Sequence, residues 1–106
     1  MPDSTKFSVY GKLTAKPGQR EALIDRFSSL LQSGIAGLEY CTINAAIDDP
    51  DTLWVTQTWV DRAAHDIGTR SAAVVAETQR LMSLVARPPE GTYGHVAYLR
   101  TDSSER

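Results

Sequence analysis

Both tryptophans of the chain and one of its two histidines fall inside a single stretch, LWVTQTWVDRAAHD, from Leu53 to Asp66. Trp54 and Trp59 are five residues apart, and His65 follows Trp59 by six. An imidazole titrates near neutrality when unperturbed, which suits a histidine to acid–base work. An indole offers a flat apolar wall and a single N–H donor. The spacing could therefore build a site or part of a core. Each also has a plainer role: Trp59 as a core residue with its N–H on a backbone carbonyl, and His65 as a helix-surface residue. Ala63 and Ala64 beside His65 are small enough for another surface to approach. His65 and His95 are thirty residues apart with no convincing third ligand, so no metal site is expected. No glycine-rich phosphate loop is present, and no bound cofactor is expected. The acidic stretch DDPD, Asp48 to Asp51, reads as turn chemistry. Cys41 stands alone, which excludes an internal disulfide and fits a small buried hydrophobe in a reducing compartment.

The elements that would position these groups follow from periodicity. KFSVYGKLTA alternates Phe7, Val9, Gly11 and Leu13 against Ser8, Tyr10, Lys12 and Thr14, the period of a strand. Pro17 suits a helix entry. Leu23, Phe27, Leu30, Leu31 and Gly34 form one helical stripe, and Gly34 and Gly37 end it. LEYCTINAAI and LWVTQTWV read as a second and third strand joined by DDPDT. Asp61 is a good N-cap for a short helix, about Arg62 to Ile67, that stops at Gly68. A longer helix starts near Ser71 with Val74, Val75, Thr78, Leu81, Met82 and Val85 as its apolar stripe, and RPPEG stops it. TYGHVAYL is the fourth strand. The order is that of an α+β, ferredoxin-like βαββαβ fold: an antiparallel four-stranded sheet with its helices on one face. In strand three Leu53, Val55 and Trp59 face one side and Trp54 the other, because residues five apart in a strand point oppositely. Apolar and aromatic residues on both faces call for cover on the second one, and a second copy of the chain is the expected cover.

The chain has 106 residues and a formal net charge of −2, without a Lys/Arg run. That is one domain, 1–106, with a core of about 7–99, and no nucleic-acid partner is expected. No apolar run reaches membrane-spanning length. The polar start MPDSTKF is not a signal peptide, and RTDSSER reads as a frayed end. A cytoplasmic location is expected.

GKLTAKPGQREAL, then DDPDTLWVTQTWVDRAAH, then a strand after a proline-containing loop, resemble the antibiotic biosynthesis monooxygenase domain family, of the quinol monooxygenase type. The likeness covers about Phe7 to Leu99. It implies a dimeric α+β barrel closed by two sheets, and cofactor-free oxidation of a phenolic, quinol or anthrone-type aromatic by O2. For such chemistry His65 is the base candidate, near the start of its helix, and Trp59 the ring contact and donor; Val55 and Gln57 share the Trp59 face as lining residues, and Gly11 leaves room for a ligand. The chain also departs from relatives. Some have Tyr where it has His65, Asn where it has Val55, or an Arg on the last long helix, where Arg80 reads as solvated. Alternatives are a haem-degrading relative of the same fold, although strand one has no Asn, a non-oxidative isomerase or cyclase, and a ligand-binding dimeric module.

Overall fold

The computed structural model describes residues 5–100. The polar N-terminal start and the tail expected to fray fall largely outside them. Four strands, β1 (Phe7–Thr14), β2 (Leu38–Ala45), β3 (Thr52–Trp59) and β4 (Glu90–His95), form one antiparallel sheet in the order β2-β3-β1-β4. Three helices, α1 (Arg20–Gln32), α2 (Arg62–Thr69) and α3 (Ala72–Met82), complete the ferredoxin-like α+β architecture. The alternation expected in β1 sorts as it should. Phe7 is paired with Trp59 and His95, and Val9 with Gln57 and Tyr93, so all six share the helix-side face. That face carries the core, in which Leu23 and Leu30 of α1, Leu53 of β3 and Leu81 of α3 pack with Ala15 and Val85. Burying each such leucine is worth roughly 1.5–3 kcal/mol.

Local chemistry explains most boundaries. The Asp61 carboxylate accepts from Ala64 N at 2.8 Å and caps α2. The Ser71 hydroxyl accepts from Val74 N at 3.4 Å and caps α3. Gly34 and Gly37 have φ of 86° and 87°, the left-handed geometry that ends α1 and turns the chain into β2. The Arg20 guanidinium donates to the carbonyls of Ala46, Asp49 and Thr52 and pins the start of α1 to the β2–β3 turn.

Several expected boundaries move. Pro17 lies in the turn before α1 rather than in its first position, and α1 begins at Arg20 after Gln19. β2 ends at Ala45, leaving Ile47 fully exposed. α2 runs through Gly68 to Thr69, because Gly68 serves close packing instead of a helix stop: a Cβ there would lie 3.1 Å from the Trp59 ring. On α3, Val75 and Met82 flank the stripe and are exposed, while Val74 and Leu81 pack inward. The prolines do not end α3. It closes at Met82, and Val85 leaves it to bridge Ala15. β4 is Glu90–His95 rather than 92–99, since its partner β1 begins at Phe7 and only Val96 N, bonded to Lys6 O at 3.0 Å, continues the pairing. No helix among the described residues is long and apolar enough to cross a membrane.

Candidate active site

β3 carries the indole, and the turn at Asp61 folds α2 back over it. Trp59 and His65 therefore meet edge to face, with ring centroids 5.3 Å apart at 89°. Strand pairing brings two more rings to the same place: Phe7 of β1 lies 4.9 Å from His65, and Tyr93 of β4 lies 5.5 Å from it. His95 stands 6.0 Å from Phe7, at the edge of the cluster. The Arg62 guanidinium rests 5.5 Å from the Phe7 ring and 6.0 Å from that of Tyr93. His65 is more enclosed than a helix-surface or rim residue. Its side chain is 12% exposed, because three rings surround it. Trp59 is 1% exposed, and its indole N–H donates to the Gln57 side-chain oxygen at 3.0 Å rather than to a backbone carbonyl.

The closeness of α2 depends on small residues. A Cβ on Gly68 would approach the Trp59 ring at 3.1 and 3.2 Å, and one on Gly37 would lie 2.5 Å from the Ala64 Cβ. The approach expected from Ala63 and Ala64 is thus met at Ala64, by Gly37.

Beside the ring cluster, between the sheet and helices α1 and α3, is a cavity of about 190 Å³. Leu13, Phe27, Leu81 and Trp59 supply apolar wall, and Gln57, Thr69 and Thr78 supply its polar atoms. Trp59 lines this cavity and also packs against His65. Of the other expected lining residues, Val55 is buried in the sheet floor. Gly11 leaves open space on the helix side, where an added Cβ would meet only Glu90 O, at 3.9 Å. A row of side chains, Tyr93, Val9, Gln57 and Cys41, crosses the sheet between these points.

Two titrating groups near this cluster are displaced. Burial pushes the Cys41 thiol up, opposed by its hydrogen bond with Gln57, and the thiol is only half-buried. The hydrogen bond with His65 Nδ1, 3.0 Å away, holds the Asp66 carboxyl below the usual range, with Arg62 and Arg70 adding to it. Among the described residues no three His, Cys, Asp or Glu side chains converge as metal ligands. Arg80 lies apart from the cluster, exposed and paired with Glu77. Phe7, Arg62 and Asp66 are the members of this cluster that sequence reasoning missed, whereas Tyr93 is one of four tyrosines, with Tyr10, Tyr40 and Tyr98, that the sequence offers as possible lining groups without ranking them. The only signal for Phe7 was its place on the same face of β1 as Gly11.

A family model described as antibiotic biosynthesis monooxygenase matches residues 6–80. A solved structure from Chloroflexus aurantiacus J-10-fl, provisionally named an antibiotic biosynthesis monooxygenase, is 24% identical with a TM-score of 0.82, covering 92% of this chain and 98% of that one. A conserved protein from Methanosarcina mazei Go1 is 17% identical with a TM-score of 0.80, covering 89% and 95%. A protein from Shewanella oneidensis is 24% identical with a TM-score of 0.76, covering 88% and 92%. At these identities the likeness speaks for the fold. None of the curated proteins matches the chain significantly.

Proposed function

Because the chain belongs to the antibiotic biosynthesis monooxygenase family, we propose that it oxidises a quinol- or anthrone-type aromatic to a quinone with O2, without a cofactor, and that His65 takes the substrate proton. The observation that carries this reading is the enclosure of the His65 imidazole among Phe7, Trp59 and Tyr93, next to an apolar cavity that shares Trp59. A base needs reach to a proton and shelter from bulk water, and an aromatic substrate needs flat apolar contact.

The chemistry asks little of the protein. Deprotonation makes the aromatic alcohol a good one-electron donor, and transfer to O2 leaves a radical pair. Recombination forms a carbon–oxygen bond and a hydroperoxide. Loss of water then leaves the carbonyl, so one oxygen atom enters the product and the other leaves as water. The ring is seated over the Val9–Gln57 row, with the open space at Gly11 on one side and His65 on the other. Trp59 is its wall and Val55 its floor.

The domain extends to about Leu99, since β4 completes the sheet beyond the matched residues. The working unit is a homodimer that covers the second sheet face, where Tyr10, Tyr40 and Trp54 are each about half exposed.

Oxygen uptake with a panel of hydroquinones and anthrones tests the reading. Uptake stoichiometric with quinone formation, in protein freed of flavin, haem and metal, is expected. A panel without any oxygen consumption, or activity that returns only with an added cofactor, would overturn it.

A further inference from the structure

We infer that Asp66 is a positioning residue: it holds His65 in the tautomer with its proton on Nδ1, leaving Nε2 as the atom that accepts a proton. The inference rests on His65 as the base. His65 Nδ1 and Asp66 Oδ1 are 3.0 Å apart, so one of the two must donate. An ionised carboxylate has no proton to give. Asp66 is partly exposed and is held below the ordinary carboxyl range, so it is ionised at neutral pH. The proton in this hydrogen bond therefore belongs to the imidazole. In the neutral imidazole the other nitrogen then keeps its lone pair.

The carboxylate is tethered at its second oxygen as well. Oδ2 lies 4.0 Å from Arg62 Nε, one helical turn away on α2. The ring itself is confined by Phe7, Trp59 and Tyr93, and the Thr69 hydroxyl donates to the His65 carbonyl at 2.8 Å. The charged and titratable groups around the imidazole are thus Asp66, Arg62 and Arg70 from the helix side and Tyr93 and His95 from β4. Among the described residues, Asp66 is the one hydrogen-bond partner of an imidazole nitrogen of His65. When Nε2 takes a proton, the same carboxylate neutralises the imidazolium that forms, without any rearrangement.

Long-range ¹H–¹⁵N spectra of the full-length, ¹⁵N-labelled protein read the tautomer directly, with His65→Ala identifying which imidazole is which. The wild type is expected to show a protonated Nδ1 and a bare Nε2. In Asp66→Ala the form protonated at Nε2, which free histidine prefers, should become populated. Thermal stability should hold, since Asp66 is partly exposed and alanine favours a helix. Asp66→Asn keeps an acceptor of the same shape and should largely keep the tautomer. With a verified substrate, Asp66→Ala should lower kcat roughly tenfold or more with KM little changed, and Asp66→Asn should recover part of that. A wild-type ring protonated at Nε2, or a tautomer unmoved in Asp66→Ala, overturns the inference. So does an unchanged kcat in Asp66→Ala when His65→Ala is inactive. If the tautomer moves as expected while His65→Ala turns over normally, the base role falls and the tautomer assignment stands.

Discussion

The roles proposed for His65 and Trp59 differ, and substitution should separate them. His65→Ala is expected to lower turnover by roughly 10² to 10⁴-fold, the usual worth of a positioned acid or base. Raising the pH should restore part of the rate, because more of the substrate then ionises unaided. An undiminished rate of oxygen uptake in His65→Ala, on a substrate the wild type oxidises, would remove histidine from the mechanism. Trp59 has a structural place besides its proposed role. Trp59→Ala removes a fully buried ring shared by the core, the cavity and the His65 cluster, and should cost about 3–5 kcal/mol. Trp59→Phe keeps much of the wall but leaves the Gln57 oxygen without its donor. Near-normal melting with a large loss of turnover in Trp59→Phe would show that the N–H, and the Gln57 orientation it enforces, serve catalysis.

At the scale of elements, the placement of α2 decides whether these two residues meet. Gly68→Ala sets a gain in helix propensity of about 1 kcal/mol against overpacking of roughly 1–3 kcal/mol. The Trp59 ring that would have to yield is held by His65 and Gln57, so the variant is expected to melt lower. A higher melting temperature would mean that α2 can shift freely. The β2–β3 turn makes a pH prediction. Asp49 accepts from Asp51 N at 2.9 Å and from the Thr52 hydroxyl at 2.8 Å, and the backbone hydrogen bond is the larger reason its carboxyl lies below the usual range. A depressed pKa stabilises the fold above the unfolded value, about 3.9, and that contribution disappears as pH falls through the folded value. Asp49→Asn should therefore flatten the loss of thermal stability below about pH 4. Equal slopes in the two proteins would show that the turn holds without the charge. These elements were legible where the physics is local. The alternation of Phe7 to Thr14, the stripe of α1 and the Asp61 cap each depend on neighbours in sequence. The ring cluster was not, because Phe7 and Tyr93 reach His65 only through the β1–β3 and β1–β4 registers, which are long-range choices. The end of α3 was misread for the same reason: Val85 is drawn off by Ala15, far away in sequence.

At the scale of the whole molecule, the sheet has one face under helices and one uncovered. Stable obligate interfaces commonly bury about 2,000 Å² or more, and a half-exposed trio of Tyr10, Tyr40 and Trp54 is a suitable centre for one. Light scattering is expected to give a dimer, and Trp54→Arg a monomer. A folded wild-type monomer at micromolar concentration would refute the paired sheets. The same two-sidedness makes the protein its own optical instrument. Trp59 is 1% exposed and edge-on to an imidazole, while Trp54 is 49% exposed on the opposite face. A protonated imidazole quenches indole emission, so the blue-shifted fluorescence of Trp59 will report proton arrival at His65. The red-shifted emission of Trp54 will report burial of the outer face. One chain thus carries two colours, one for the proton and one for the partner.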